Sequence, residues 1–389
     1  MDSNEVLIIG SGPGAISAAE SYRANGGTGR VLIVTADTDA PYFRPPLSKD
    51  FLQGDSEFDD ITQHPEQWYV ERDIEIRTGA SVVGLDIDAR TAQLSTSETV
   101  EFQTAIIATG ARPATLPVPG GENALLLRSF DEAATLRTAA QQAASAVVIG
   151  AGFIGCEAAA SLAARGVTTT LIAPEEVPQA ARLGSDAGAR ILTMLTDAGV
   201  RYVGGPSITQ IEPGVVTLDD GVRIDSDLIL AATGITPCSD IAEAAGLTVE
   251  DGRIAVDEHM RTSSPAVLAV GDVAAAHNPT AGRRIATEHW QDAADQGEVA
   301  GATAAGVERA WDAVPGFWTT IGDHTLKYAA WGDGFDTAKL VERDGGFPEG
   351  SFTVWYQRDG VTVGGLTYNN DDDYELAEKL VADHKPAPA

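Results

Sequence analysis

The sequence predicts an α/β protein with two Rossmann-like nucleotide-binding domains and a C-terminal α+β domain. Two apolar strands, about 140 residues apart, each lead into a glycine-rich turn and then a helix. This strand–turn–helix pattern indicates parallel sheets covered by helices. Towards the C-terminus, residues 351–357 and 360–366 alternate as strands do, and residues 373–381 follow as a helix. At 389 residues the chain is also too long for a single ordinary core.

The composition disfavours several classes of partner. Acidic residues outnumber basic residues by 57 to 26, which gives a net charge of −31, and no segment is basic. Binding to nucleic acid or to an anionic membrane surface is therefore not expected. The apolar runs are far shorter than the ~20 residues that span a bilayer. The acidic N-terminus lacks the basic region of a secretory signal, so we expect a cytoplasmic protein.

The first glycine turn follows the first apolar run of the chain and reads GSGPGA. Gly10 permits the tight turn, and Gly12 lets a pyrophosphate approach the backbone. Gly14 precedes Ala15, which fills the small third position of the fingerprint GxGxx[G/A]. The helix that follows presents a positively polarised end to phosphate. A second strand ends near Asp37, about where a carboxylate would bind a ribose hydroxyl.

The second glycine turn is a full GxGxxG fingerprint, formed by Gly150, Gly152 and Gly155. A strand over residues 168–172 follows it, with Glu175 just beyond. Two fingerprints in one chain, each with a downstream carboxylate, arise by chance much less often than one. They predict that the chain holds two dinucleotides. If one of these is a flavin, the enzyme needs no catalytic cysteine.

The cysteines therefore receive no redox or metal role. Cys156 and Cys238 lie far apart, with no CxxC motif and no His/Cys cluster at metal-ligand spacing. We expect no disulfide and no metal site. Cys156 is predicted to be a small buried hydrophobe.

Other motifs extend the pattern. Two buried strands end in Thr-Gly turns, in ATGARP at Thr109 and Gly110 and again in ATGITP, and a third strand ends in an acid at Asp272. The loop PYFRPPLSK is stiff and carries two cations, Arg44 and Lys49.

Together these motifs resemble the FAD-dependent pyridine nucleotide oxidoreductases of the ferredoxin and rubredoxin reductase type. Such enzymes are the reductase partners of aromatic-ring dioxygenases and bacterial cytochromes P450, and apoptosis-inducing factor is a relative. The matching motifs, in the family's order, are GSGPGA, PYFRPPLSK, ATGARP, GAGFIGCE, ATGITP, VDEHMRTSSP, AVGD and EHWQDAADQG. They cover residues 5 to about 310.

The resemblance implies a domain organisation and two sets of cofactor-binding residues. The implied domains are an FAD-binding domain (1–112 and 242–311), an inserted NAD(P)H-binding domain (113–241) and a C-terminal interface domain (312–389). The residues implied around FAD are Gly10, Gly12, Gly14, Ala15, Asp37, Arg44, Lys49, Thr109, Gly110, Asp272, His289, Trp290 and Trp318. Those implied around the nicotinamide dinucleotide are Gly150, Gly152, Phe153, Gly155 and Glu175. Phe153 would cover the flavin until the nicotinamide displaces it. For Phe153 and Trp318 a plain packing role stays open, as does an ordinary helix role for His289.

The resemblance also implies a catalytic pair, Lys49 and Glu157, that meets beside the flavin N5. Reduced flavin carries negative charge at N1 and C2=O, which a fixed cation stabilises. The glutamate would offset the buried charge of the lysine. The alternative is a surface lysine and an unrelated helix acid.

The C-terminal part departs from the family pattern. The family usually has an aromatic-Trp-Ser-Asp-Gln run there, whereas this chain reads FWTTI from Phe317 to Ile321. Because this domain supplies partner contacts in such enzymes, the departure affects the identity of the partner.

The implied function is hydride transfer from NADH to FAD and electron transfer to a small carrier such as ferredoxin or rubredoxin, by a monomer or homodimer. Many relatives have the ribose-binding glutamate where this chain has Ala173, but Glu175 follows closely and would repel the 2′-phosphate of NADPH. Arg182, the nearest cation downstream of Glu175, could bind a 2′-phosphate, so NADPH stays open as a second donor. Two alternatives remain open: an NADH oxidase or quinone- or dye-type reductase, and a redox-sensing interaction protein like apoptosis-inducing factor.

Overall fold

The computed structural model describes residues 4–388, which form two compact units. The first unit contains the chain up to Phe43, with Ile61–Arg112 and Thr236–Gly316. The second unit contains Arg44–Asp60, Pro113–Ile235 and the chain from Phe317 onwards. Arg44–Asp60, which we name the lysine segment because it carries Lys49, therefore belongs to the second unit. Among the described residues no helix is long and apolar enough to cross a membrane.

The first unit is built on a sheet with a parallel centre. Its central strand is buried from Val6 to Ile9, with Val6, Leu7 and Ile8 fully inaccessible, as is typical of parallel strands covered on both faces. The parallel strands, in sheet order, are Ile74–Arg77, Val31–Val34, Asn4–Ile9, Thr99–Ile107 and Val267–Ala269. Thr91–Leu94 and Val82–Asp86 extend the sheet in antiparallel order. A second sheet in the unit contains Val249–Glu250, Arg253–Val256, Ala274–Asn278 and Arg283–Ala286.

Two helices of the first unit, Pro13–Ala24 and Trp290–Ala304, pack with their backbones in close contact. A Cβ on Gly297 would lie 2.3 Å from the carbonyl oxygen of Gly14, and one on Gly301 would lie 2.2 Å from that of Ala18. Only glycine allows this approach. The close approach holds the helix that follows the first glycine turn against the helix Trp290–Ala304.

The second unit repeats the parallel arrangement. In sheet order its strands are Arg201–Gly204, Thr168–Ala173, Ser145–Ile149 and Leu228–Ala231. The helices of this part are Phe130–Ala140, Phe153–Ala164 and Ala180–Asp197, and a three-stranded sheet contains Ile208–Glu212, Val215–Leu218 and Arg223–Asp225. Ser129 caps the first of these helices through a reciprocal hydrogen-bond pair with Glu132.

The C-terminal part of the second unit is an antiparallel sheet with a helix on it. In sheet order the strands are Gly316–Ile321, His324–Ala330, Val361–Tyr368, Ser351–Arg358 and Thr337–Arg343, and the helix is Asp371–Ala382. Phe352, Trp355 and Tyr356 are buried in its core.

Short elements connect these layers. They are the helices Asp50–Gln53, Phe58–Ile61, Glu66–Val70 and Asp240–Ala244, the 3₁₀ turns Pro45–Ser48, Gly121–Asn123 and Gly271–Val273, and the strands Ala111–Pro113 and Ile235–Pro237. The predicted α/β class, with two nucleotide-type parallel sheets and an α+β C-terminal part, is confirmed. The predicted domain boundaries stay a prediction.

Candidate active site

The first glycine turn has the shape that a pyrophosphate requires. Gly10 has a φ of 115°, and a Cβ there would lie 2.3 Å from the carbonyl oxygen of Ala108. A Cβ on Gly12 would meet nothing within 4 Å, so the backbone is open on that side. Gly12 begins the helix Pro13–Ala24 without a side-chain cap among the described residues. The first N–H groups of this helix can therefore serve a phosphate, and the turn fits a dinucleotide.

Three other residues predicted to bind FAD lie in the first unit, two of them with side chains that hold local structure. Asp37 accepts a hydrogen bond from the Tyr42 hydroxyl at 2.7 Å. The Thr109 hydroxyl donates to the carbonyl oxygen of Cys238 at 2.8 Å. Asp272 is 6% exposed in a 3₁₀ turn whose first residue, Gly271, donates its N–H to the Gln296 side chain. These contacts fix the turns, and the predicted contacts with FAD stay predictions.

His289 and Trp290 begin the helix Trp290–Ala304. Nδ1 of His289, the N-cap residue, lies 2.8 Å from Oδ2 of Asp292, which is 2% exposed. Burial raises the pKa of Asp292, and the contact with His289 works against that shift. The Trp290 ring packs 5.4 Å from the ring of Phe43, which is 42% exposed.

The second glycine turn repeats the geometry of the first. Gly150 has a φ of 101°, and a Cβ there would lie 2.4 Å from the carbonyl oxygen of Ala232. A Cβ on Gly155 would lie 2.0 Å from the carbonyl oxygen of Gly150, while a Cβ on Gly152 would meet nothing closer than 4.0 Å. The helix Phe153–Ala164 again begins at a glycine, with no side-chain cap in the described part of the chain. This turn also fits a dinucleotide phosphate.

Aromatic rings gather where this helix begins. Phe153 packs against Phe317 at 4.7 Å in an edge-to-face arrangement, and Phe317 packs against Tyr328 at 5.4 Å. The guanidinium of Arg182 lies over all three rings, between 5.6 and 5.9 Å from their centroids. Arg182 is therefore held by cation–π contacts next to the second glycine turn.

Glu175 lies between a strand and a helix. Its Oε1 atom accepts the backbone N–H of Ala181 at 2.8 Å, in the first turn of the helix Ala180–Asp197. Its carbonyl oxygen accepts a hydrogen bond from the Tyr202 hydroxyl at 2.6 Å. The carboxylate is thus fixed by a backbone N–H of the single turn that precedes the non-helical residue Gly184. The predicted contact with the adenosine ribose stays a prediction.

The centre of the site is the buried carboxylate of Glu157, which is 3% exposed. Its Oε2 atom lies 2.9 Å from Nζ of Lys49 and accepts a hydrogen bond from the Ser48 hydroxyl at 2.5 Å. Its Oε1 atom accepts one from the Thr319 hydroxyl at 2.8 Å and one from the backbone N–H of Thr320 at 3.3 Å. Each oxygen therefore has two hydrogen-bond donors, and these compensate for the removal of the carboxylate from water.

A polar row on the helix Phe153–Ala164 and its C-cap holds the lysine segment. Glu157, Ser161 and Arg165 are spaced by four, so they lie on one face. The Ser161 hydroxyl donates to the carbonyl oxygen of Ser48 at 2.8 Å. Nη1 of Arg165 donates to the carbonyl oxygens of residues 52 and 53 at 3.1 and 2.8 Å. Lys49 is thus placed by a segment that is anchored on both sides.

Sequence reasoning missed Ser48, Ser161, Arg165 and Thr319. The spacing of four from Glu157 is a signal that points to Ser161 and Arg165. Thr319 has no such local signal, because its contact with Glu157 spans 162 residues.

Cys156 does not have the environment of a redox thiol. Cys156 is fully buried, and its Sγ atom lies 3.6 Å from the carbonyl oxygen of Ala151. Burial, with a further contribution from Glu157, raises the pKa of the Cys156 thiol far above its usual range. Cys238 is a free cysteine of intermediate exposure.

Comparisons with known proteins agree with this geometry. Residues 4–297 match the family model described as pyridine nucleotide-disulphide oxidoreductase. Rhodocoxin reductase of Rhodococcus erythropolis is 32% identical, over 98% of this chain and 90% of its own. A ferredoxin reductase structure from Rhodopseudomonas palustris superposes with a TM-score of 0.93 at 30% identity, over 99% of this chain and 96% of its own. Putidaredoxin reductase, in its covalent complex with putidaredoxin, gives a TM-score of 0.91 at 28% identity, over 99% and 94%.

The chain therefore belongs to the pyridine nucleotide-disulphide oxidoreductase family. Within that family it is an FAD-dependent, NAD(P)H-oxidising enzyme of the ferredoxin and rubredoxin reductase type, and this prediction from the sequence is confirmed.

Proposed function

We propose that the protein oxidises NADH and delivers the electrons, through FAD, to a small electron-carrier protein such as ferredoxin or rubredoxin. The observation that carries the proposal is the repeated glycine turn. Gly10 and Gly150 both have φ above 100°, and each precedes a helix that begins at a glycine with an open backbone. One chain thus provides two dinucleotide sites. When bound, FAD accepts a hydride from nicotinamide and releases electrons singly or in pairs, so the cofactor carries the hard chemistry.

Residues of the second unit orient and tune that chemistry. Lys49 supplies a fixed positive charge, which favours electron uptake by a flavin. Glu157, which also accepts hydrogen bonds from Ser48, Thr319 and Thr320, holds the ammonium group in one position. Phe153, next to the second glycine turn, covers the flavin until the nicotinamide arrives. Glu175 binds the adenosine ribose and disfavours a 2′-phosphate.

The positions of the two cysteines favour a carrier protein, rather than a disulfide, as the electron acceptor. The family's name includes disulfide substrates, but Cys156 is inaccessible and Cys238 is 82 residues away in sequence, so the chain has no vicinal dithiol. Two relatives that match over nearly their full lengths, rhodocoxin reductase and putidaredoxin reductase, are named for carrier proteins.

The strong negative charge of the chain requires that an acidic carrier meet a local cationic surface. The Arg283–Arg284 pair is the patch that the sequence suggests. Arg284 forms an ion pair with Glu250 at 3.2 Å, which reduces the net positive charge there. The proposal also includes a cytoplasmic location, on sequence grounds alone, and a monomeric or homodimeric state, to be measured by light scattering.

The proposal is tested by measuring acceptor specificity with the purified flavoprotein. We expect NADH to bleach the flavin spectrum anaerobically, and ferricyanide to support fast turnover. Adding a purified rubredoxin or [2Fe–2S] ferredoxin should raise NADH-dependent cytochrome c reduction at least tenfold over the carrier-free rate. Rapid oxygen consumption without any carrier effect would identify an NADH oxidase instead. Slow turnover with a long-lived charge-transfer band would identify a redox sensor.

A further inference from the structure

The strand Gly316–Ile321 contacts the helix Phe153–Ala164 through alternate side chains. Phe317 packs on Phe153, and the Thr319 hydroxyl binds Glu157. Two residues of a strand span about 6.6 Å and four residues of a helix about 6.0 Å, so the two contacts are in register.

The neighbouring side chains of the strand face away from this helix. Trp318 is 45% exposed, and the Thr320 hydroxyl lies 3.0 Å from the Thr325 hydroxyl. Thr320 offers only its backbone N–H to Glu157. Thr319 therefore binds the Glu157 carboxylate through its side chain, whereas Thr320 binds it through its main chain.

The Thr319 hydroxyl completes the coordination of Glu157. Thr319 is 1% exposed, so no water replaces its hydroxyl without a rearrangement. Without that donor, Oε1 retains a single contact, the 3.3 Å bond from Thr320. A buried carboxylate oxygen with a missing donor rotates or recruits another donor, and Lys49 is the mobile charged donor nearest to it.

We propose that Thr319 is a positioning residue for Lys49, acting through Glu157. It fixes Oε1 so that Oε2 faces the ammonium group and the Ser48 hydroxyl. The C-terminal strand thereby contributes to the catalytic pair, at a position where this chain has Thr in place of the family's Ser and keeps the hydroxyl. The inference rests on the proposed function in one respect only, the action of Lys49 on the flavin.

The test compares three variants of the FAD-loaded enzyme by anaerobic stopped flow. Thr319→Val keeps the shape and removes the donor, Thr319→Ser keeps the donor, and Thr325→Val is the matched control at an exposed threonine of the next strand. We expect Thr319→Val to lower the limiting rate of flavin reduction by NADH about tenfold, with less than a twofold change in the apparent Kd for NADH. Thr319→Ser and Thr325→Val should each change the rate less than twofold. Equal rates for Thr319→Val and Thr325→Val, or equal losses for Thr319→Val and Thr319→Ser, would overturn the proposal.

A second readout follows Lys49 itself, with or without turnover. The chain's lysines are Lys49, Lys327, Lys339, Lys379 and Lys385. Selective ¹³Cε-lysine labelling therefore gives a simple spectrum, in which Lys49→Arg identifies the Lys49 signal. Thr319→Val should shift or broaden that signal alone, and an unchanged signal would contradict the positioning role. If Thr319→Val loses FAD, Thr319→Ala gives the same spectroscopic test in a smaller side chain.

The two readouts separate this inference from the proposed function. If Lys49→Met leaves flavin reduction unchanged while Thr319→Val still moves the Lys49 signal, the positioning role holds and the action of Lys49 on the flavin fails. If Lys49→Met slows reduction but Thr319→Val alters neither rate nor signal, the positioning role fails alone.

Discussion

Nζ of Lys49 lies 2.9 Å from Oε2 of Glu157, and the two side chains are 16% and 4% exposed. Both charges are thus largely removed from water. Pairs of this kind contribute little net stability, but removing one partner leaves an uncompensated buried charge. Two effects are therefore expected from any substitution in the pair, one on the chemistry and one on the remaining partner.

Lys49→Met should retain FAD and slow its reduction by NADH at least ~30-fold. The variant keeps most of the side-chain volume and removes the fixed cation, a loss of ~2–4 kcal/mol of electrostatic stabilisation. Stopped-flow absorbance measures the rate. Lys339→Met, at an exposed lysine of the same unit, is the control and should react like the wild type.

Glu157→Gln should cost less in the Lys49→Met background than in the wild type. In the wild type the glutamate offsets a buried ammonium, and that demand disappears when the lysine is gone. A double-mutant cycle on the reduction rate measures the coupling. Additive effects would mean that the two residues act independently, despite their contact.

Arg165→Met should loosen the lysine segment without unfolding the protein. The guanidinium donates to two carbonyl oxygens, of Leu52 and Gln53, and their loss should lower the local opening free energy by about 1.5–3 kcal/mol. Hydrogen exchange should then speed up at residues 50–54 more than elsewhere. Arg190→Met, which breaks the exposed pair with Glu342, is the matched control and should leave those amides unchanged.

Cys156→Ser should lower NADH-dependent dye reduction less than about threefold, because the thiol is a packing group. Its raised pKa also predicts the pattern of alkylation. At pH 8, iodoacetamide should modify Cys238 in the native protein and reach Cys156 only after unfolding. A loss of several hundredfold in Cys156→Ser with FAD still bound would restore a thiol mechanism.

The sequence predicts those parts of the site in which one residue type is physically required. At Gly10 and Gly150 the backbone has a positive φ, and a Cβ would lie within 2.4 Å of backbone atoms. Only glycine fits there, so both turns can be predicted from the sequence. The Lys49–Glu157 contact is different. It spans 108 residues and has no local pattern, so it could be inferred only from the resemblance to a family.

Neither the local sequence pattern nor the resemblance to a family predicts the contact of Thr319 with Glu157. Its contact depends on the register between a C-terminal strand and a helix that begins at the second glycine turn. That register is set by tertiary packing, including the contact between Phe153 and Phe317. The family pattern has Ser at this position, so the hydroxyl is kept, but the pattern does not show that this hydroxyl meets Glu157.

The last prediction concerns the electron donor. We expect kcat/KM to favour NADH over NADPH at least tenfold, a difference of about 1.4 kcal/mol. The Glu175 carboxylate accepts the N–H of Ala181, and we propose that it lies beside the adenosine ribose and repels a 2′-phosphate. Glu175→Ala should reduce the preference, whereas Glu176→Ala, at the exposed neighbouring acid, should not.

Arg182 is the residue that would bind the 2′-phosphate if the enzyme used NADPH. Its guanidinium lies over three aromatic rings, and leaving them for a 2′-phosphate would give up those cation–π contacts, about 0.5–1 kcal/mol each at an exposed site. Arg182→Gln should therefore leave the ratio of the two kcat/KM values unchanged within twofold. Parity between the donors in the wild type, together with a selective loss of NADPH activity in Arg182→Gln, would assign the 2′-phosphate to Arg182 and refute the role of Glu175.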